Sequence, residues 1–459
     1  MENKNMIVLA FLATGMLLPL CGLGQNQPAP SANPGVIFEP AVTNREPSIA
    51  TGQDWRTLNP AMPQPPEPGP ARGAAGPTMG PALAGTSQLG GGAPPPAAPE
   101  PLDTPLRWGK LSLHPHAAYA VSYAEGLNGR LGQEADSWIH EFMPGMMVRL
   151  GDRWSLDYTP ILRWYSNDDF TDGVDHRVSF RGGAEYRDWQ FSVAQGFART
   201  RDPLIETGRE TEQDTYSTTI RAARPLNSSL SIDLGVGQDL RFIRGDSEGE
   251  ALSDTKTWST MNWLDYQYIE RLSFGVGAGF AYDSVETGSD MTSEQVQART
   301  RWAPGSKLSL TASAGVDIRQ FVDSDEADSV SPIFSVGAGY VLTDTTTLSL
   351  SASRTVTPSY YDDTLSEGTI FSAGLVQRLL GRFYLNVTGG YALRDYSGTT
   401  GTSAATGDQE TVSFNASLGT AFLTRGYISV FYNKSWNDSD SATYDLDPQT
   451  VGLQISYSY

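Results

Sequence analysis

The final nine residues constrain this chain more than any other stretch. From Val451 to Tyr459, apolar or aromatic side chains (Val451, Leu453, Ile455, Tyr457, Tyr459) occupy the odd positions and small or polar ones (Gly452, Gln454, Ser456, Ser458) the even positions. A strand turns successive side chains to opposite faces, so a strict period of two describes a strand with different surroundings on its two sides. The same texture recurs upstream over longer runs than an ordinary soluble strand needs. Leu230, Ile232, Leu234, Val236, Leu240 and Phe242 alternate with Ser231, Asp233, Gly235, Gly237, Asp239 and Arg241. Leu308, Leu310, Ala312, Ala314, Val316 and Ile318 alternate with Ser309, Thr311, Ser313, Gly315, Asp317 and Arg319. One face is greasy and the other wet.

The connections alternate too. Tight turns fall at Gly151-Asp152, Arg187-Asp188, Pro225 to Ser228, Glu270-Arg271, Pro304 to Ser306, Thr343 to Thr345, Gly381-Arg382 and Thr424 to Gly426. Between them run longer polar links, among them Asp168 to Asp175, Arg201 to Glu212, Asp246 to Asp254, Val322 to Ser329 and Ser397 to Gly407. Short turns at one rim and long acidic loops at the other are the asymmetry of a membrane barrel. Counting segments from Leu111 to Tyr459 gives about 18 strands, an even number that returns the chain to the side where it began. The expected fold is all-β, a transmembrane antiparallel up-and-down β-barrel. Aromatic belts support it: Trp138, Trp164, Trp258, Tyr282, Tyr396 and Trp436 flank the long loops, and Trp154, Trp189, Tyr268, Trp302, Phe383, Tyr427 and Tyr459 the short turns. A soluble sandwich or propeller explains alternation but not two belts. The mildly polar mean hydropathy of -0.32 fits, because a barrel strand shows lipid only every second side chain.

Upstream of Leu111 the texture differs. Residues 1–24 read as a signal peptide, with an apolar run from Met6 to Leu20 too short to span a membrane and small residues at Gly22 and Gly24. Acylation of Cys21 is the rival, but Leu20 stands where a small residue is wanted. Residues 25–105 hold 19 of the 29 prolines and few charges, so they are expected to form a disordered Pro/Gly/Ala-rich tail on the periplasmic side. Gly35 to Pro40 is its candidate docking motif for a periplasmic partner. The barrel domain is placed at 106–459.

A chain that ends on an alternating strand with a terminal aromatic resembles the C-terminal strand of bacterial outer-membrane barrels, which implies closure against the first strand and a signal to the barrel-assembly machinery. The stretch from Trp138 to Trp154, followed by Tyr158-Thr159-Pro160, resembles the early hairpin of the β-barrel porins grouped as porin 2. That resemblance implies an outer-membrane pore. Pro144 and Pro160 lack the N–H that a ladder needs, so the backbone is expected to bulge there.

The wet face carries Arg163, Arg177, Arg181, Arg221, Arg241, Arg299, Arg319, Arg354 and Arg394 together with Asp157, Glu185, Asp233, Asp239 and Asp317. Such a lining orients polar solutes and favours anions inside, nine arginines against five carboxylates; alternatively these groups only solvate the lumen and pair across strands. Other chemistry is thin. His114 and His116 share the first strand's wet face without a third metal ligand, and Asp323 to Asp328 fails the calcium-loop pattern at Asp328, where glycine is needed. His140, Ser166 and His176 could meet at the loop-side rim as an esterase or phospholipase pair, but no motif supports it. A net charge of -20 argues against nucleic acid, and no cofactor or metal is expected. The functional expectation is a non-enzymatic outer-membrane pore for small hydrophilic solutes, with a narrow or plugged structural barrel as the rival.

Overall fold

The computed structural model describes residues 106–130, 133–204, 209–244, 252–322, 328–360, 364–398, 407–423, 425–439 and 447–459. The expected leader and tail, 1–24 and 25–105, lie outside the described residues, as do 323–327 of the acidic loop. A two-residue strand, β1 (Arg107–Trp108), leads into β2 (Leu111–Arg130), β3 (Gln133–Leu150), β4 (Trp154–Tyr165), β5 (Gly173–Tyr186), β6 (Trp189–Leu204) and β7 (Arg209–Pro225). The wall continues through β8 (Leu230–Arg244), β9 (Thr255–Ile269), β10 (Leu272–Val285), β11 (Met291–Trp302), β12 (Leu308–Phe321) and β13 (Ser329–Thr343). It ends with β14 (Thr346–Pro358), β15 (Thr364–Leu379), β16 (Phe383–Gly398), β17 (Gly407–Phe422), β18 (Gly426–Ser439) and β19 (Gln449–Ser458).

From β2 onward each strand pairs antiparallel with its chain neighbour, and β19 pairs back onto β2 from Gln449↔Glu125 to Ser458↔His116. Eighteen strands therefore close into a barrel, with β1 as a short addition at the start of β2. Closure satisfies backbone groups that an open edge would leave unpaired. The C-terminal alternation is what meets β2, and Tyr459 N–H donates to the Pro115 carbonyl at 2.9 Å.

A one-layer wall has only an inside and an outside, and burial tells them apart. Leu350 is 60% exposed and Val296 61%, whereas Asp317 and Arg319 are 1% exposed. Apolar side chains therefore face out and polar ones in, as the period of two demands. The outer belts hold Trp138, Trp164, Trp258 and Trp436 near the loops and Tyr268 and Trp302 near the turns, all exposed. Two expected belt members do not belong: Tyr396 and Tyr427 fall on inner positions and are buried, because the register sets parity more strictly than a residue's preference for an interface.

The expected tight turns all connect strands at one rim, and Gly151 there takes φ +61°, a conformation free of steric cost for glycine. The expected bulge at the prolines is absent. Pro144 and Pro160 lie opposite each other between Phe142↔Leu162 and Met146↔Tyr158, and the register is the same on both sides. Two residues without N–H groups interrupt the ladder together, so no extra residue has to be accommodated.

Candidate functional site

The loop-side end of the lumen is crossed by the chain itself. The β13–β14 ladder stops at Phe334↔Arg354, while β14 stays paired with β15 up to Pro358↔Leu365. The free end of this hairpin leans inward and lies against the inner faces of strands between β7 and β12. Tyr360 stacks beneath Arg241 of β8, whose guanidinium carbon is 3.8 Å from the ring centroid. Arg241 Nη2 donates to the Ser359 carbonyl at 2.6 Å, and the Tyr360 hydroxyl donates to Gln213 Oε1 of β7 at 3.1 Å. Ser253 N–H donates to the Tyr360 carbonyl at 2.8 Å. Arg319 Nη2 of β12 donates to the Val356 carbonyl at 2.5 Å. Leu365 packs on Val285 and Met291 with Phe321 alongside.

The sequence explains why this strap leaves the wall. Had β14 stayed zipped to β13, the same register would put Pro332 opposite Val356 and Pro358 opposite Val330, where two N–H donors are missing. Backbone carbonyls released from a ladder must find other donors. Arg319, Arg241 and the Ser253 amide supply them, so the inner arginines hold the strap rather than standing free in the lumen.

Two further charge clusters line the inner wall. Arg163 of β4 meets Glu141 at 2.8 Å, Asp202 at 2.8 Å and Asp175 at 3.4 Å, all nearly enclosed. Nearer the turns, Arg299 of β11 pairs with Asp265 and, at 3.3 Å, with Asp233, and lies 4.2 Å over the Trp263 ring. Gly277 makes room for that ring, since a Cβ there would come within 2.6 Å of it.

Register places Arg163, Arg177, Arg181, Arg221, Arg241, Arg299, Arg319 and Arg394 on inner positions, together with Asp157, Asp233, Asp239 and Asp317. Glu185 shares the inner parity but sits at the turn rim, exposed beside Arg153 at 3.2 Å. Arg354 is the exception: it stands opposite Phe334 on the outward face, at the point where the strap departs, and its Nη2 meets Glu367 at 2.5 Å.

The sequence inventory was short of inner charges, and of carboxylates most of all. Glu141, Asp175, Asp202, Asp265 and Asp283 occupy inner positions and each meets an arginine, while Arg149 and Arg301 are inner as well. Parity then gives eleven arginines (the eight above plus Arg149, Arg301 and, at the turn rim, Arg378) against ten carboxylates (Asp157, Glu185, Asp233, Asp239 and Asp317 plus those five) among the described side chains of β2 to β19. The expected arginine excess of four shrinks to one. The signal was present in parity, but Asp175 and Asp202 were read as loop residues. Strands β6 and β7 in fact stay paired as far as Leu204↔Arg209.

The proposed rim chemistry does not assemble. His140 and His176 face outward, where their Nδ1 atoms lie 2.7 Å from the Tyr119 hydroxyl and 3.0 Å from the Tyr158 hydroxyl, respectively. Ser166 Oγ instead accepts from Trp138 N–H at 2.9 Å. His116 faces inward, with Nε2 3.0 Å from Thr159 Oγ1, and His114 Nε2 is 3.1 Å from Ser112 Oγ. Among the described residues no group of three or more His, Cys, Asp or Glu is arranged to hold a metal ion.

No family model matches this chain, so the porin 2 resemblance gains no support there, and no curated protein matches either. Solved structures do. The outer membrane protein OpdK of Pseudomonas aeruginosa is similar over 76% of this chain and 98% of its own, with 14% identity and a TM-score of 0.40. OccAB3 of Acinetobacter baumannii is similar over 76% and 99%, with 9% identity and a TM-score of 0.42. The FrpB iron transporter of Neisseria meningitidis is similar over 71% and 62%, with 10% identity and a TM-score of 0.40. At such scores the fold assignment rests on the ladder of this chain alone: a closed eighteen-strand antiparallel barrel with a charged inner wall and an inward strap.

Proposed function

We propose that this protein is an outer-membrane channel through which small hydrophilic solutes diffuse passively, narrowed at its loop end by the strap that residues 355–360 and 364–366 contribute. The observation that carries the reading is the division of the wall: exposed apolar side chains between two aromatic belts outside, and arginine–carboxylate clusters inside. Lipid takes the outer face and water the inner one. The barrel-assembly machinery would read the C-terminal strand, and the tail at 25–105 would remain on the periplasmic side with any partner it binds.

An inner wall whose charges are nearly balanced, eleven arginines against ten carboxylates, offers a transverse field more than a net potential. Size at the strap, more than charge, then sets what passes. Liposomes containing the purified protein should swell in small neutral sugars and amino acids and progressively less as the solute grows. Equal absence of swelling for every solute would support the plugged structural barrel instead.

A further inference from the structure

The outer wall is not apolar all the way round. Between the belts, β12 to β14 present Leu310, Ala312, Val316, Val336, Leu348 and Leu350 outward. The outward positions of β6 to β11 instead include Gln195, Thr218, Gln238, Thr260, Asn262 and Glu294. These form one patch. Gln195 pairs with Thr218 and Thr218 with Gln238, while Thr260 and Asn262 occupy the next strand and Glu294 the one after Phe280.

Their depth makes the patch unusual. Gln195 lies six residues above Trp189, and Asn262 seven above Ile269. At about 2.6 Å of height per tilted residue both sit roughly 16 to 18 Å above the turn rim, within an apolar band about 25 Å tall. Hydrocarbon supplies no hydrogen-bond partner at that depth. Thr218 Oγ1 lies 2.6 Å from the Gln195 side-chain amide and 3.2 Å from that of Gln238, so one hydroxyl is shared by two amides whose hydrogen-bonding capacity exceeds it. Asn262 and Glu294 are exposed and have no hydrogen-bond or ion partner among the described residues.

We propose that the outer face of β6 to β11 is an interface with a second copy of this chain in the membrane, an inference that rests on the membrane reading above. Side-chain amides carry donors and acceptors together, so the same patch on a second copy satisfies them. The charges are complementary as well: Lys256, exposed on β9, and Glu294 on β11 share this face with opposite signs, and neither has an ion pair among the described residues.

The test is chemical cross-linking of the full chain in native membranes. In a Cys21→Ser background, Asn262→Cys and, as a control on the far wall, Ala416→Cys are treated with a short bis-maleimide. The expected result is a band at twice the chain mass for Asn262→Cys and none for Ala416→Cys, with Gln238→Leu/Glu294→Leu purifying at half or less of the wild-type mass by light scattering. Equal cross-linking at both sites, a product of any other mass, or an unchanged mass for the double variant overturns the inference. Absence of the heat-modifiable barrel from the membrane fraction would defeat the membrane reading, whereas a monomer in that fraction defeats only the interface.

Discussion

Leu350 stands outward on β14, 60% exposed, between Ala338 and Ala373, so a guanidinium placed there finds no acceptor among its ladder partners. It lies four residues above Thr346. At about 2.6 Å of height per residue that is roughly 10 Å above the turn rim, close to the middle of a band about 25 Å tall. Leu350→Arg should therefore cost about 2 to 4 kcal/mol, a shift of roughly 30- to 1,000-fold in the folded population. The adjacent Ser351 points inward, where Gly337 opposite it leaves space, and its Oγ lies 2.6 Å from Ser372 Oγ. Ser351→Arg loses one neutral hydrogen bond and gains water, for a cost of about 1 kcal/mol or less. Urea titration of the two variants refolded in lipid vesicles, read by heat-modifiable gel mobility, separates them. Equal midpoints would show that the outer face does not meet hydrocarbon, and the barrel would have to be soluble.

Other perturbations bear on other parts of the account. Tyr360→Ala removes the stack under Arg241 and the bond to Gln213, together worth about 1 to 3 kcal/mol, so the strap should detach and single-channel current should rise or flicker. Arg163→Met leaves Glu141, Asp175 and Asp202 enclosed without their cation and should destabilise the barrel by about 3 to 5 kcal/mol in a denaturant titration. Deleting Tyr457 to Tyr459 removes the pairs to Ala117 and His116 and the contact with Pro115, so the chain should accumulate unassembled, as judged by loss of heat-modifiable mobility. Removing 61–99 should leave that mobility unchanged, because no described strand draws on those residues.

The wall was legible in the sequence because its physics is local. Alternation at Leu230 to Phe242 or Leu308 to Arg319 fixes which side of the sheet each residue takes, and the tight turns fix where the sheet reverses. The lumen was less legible. The strap depends on Ser359 and Tyr360 meeting Gln213 and Arg241, more than a hundred residues away in sequence, and no periodicity reports a contact of that range. Pro332 and Pro358 were the local clue, since together they weaken the loop end of the β13–β14 ladder. Asp175, Asp202 and Asp283 escaped for another reason. Near the rim, polar residues look like loop until pairing shows that the strand continues, and pairing is a property of two segments rather than one.

The central claim is an open, strap-narrowed pore, and planar-bilayer recording of the purified protein tests it most directly. The wild type should give discrete ohmic steps with a reversal potential near zero in asymmetric KCl, and Tyr360→Ala larger or noisier steps. A wild-type protein that inserts without conducting, or a variant whose steps match the wild type, would contradict it.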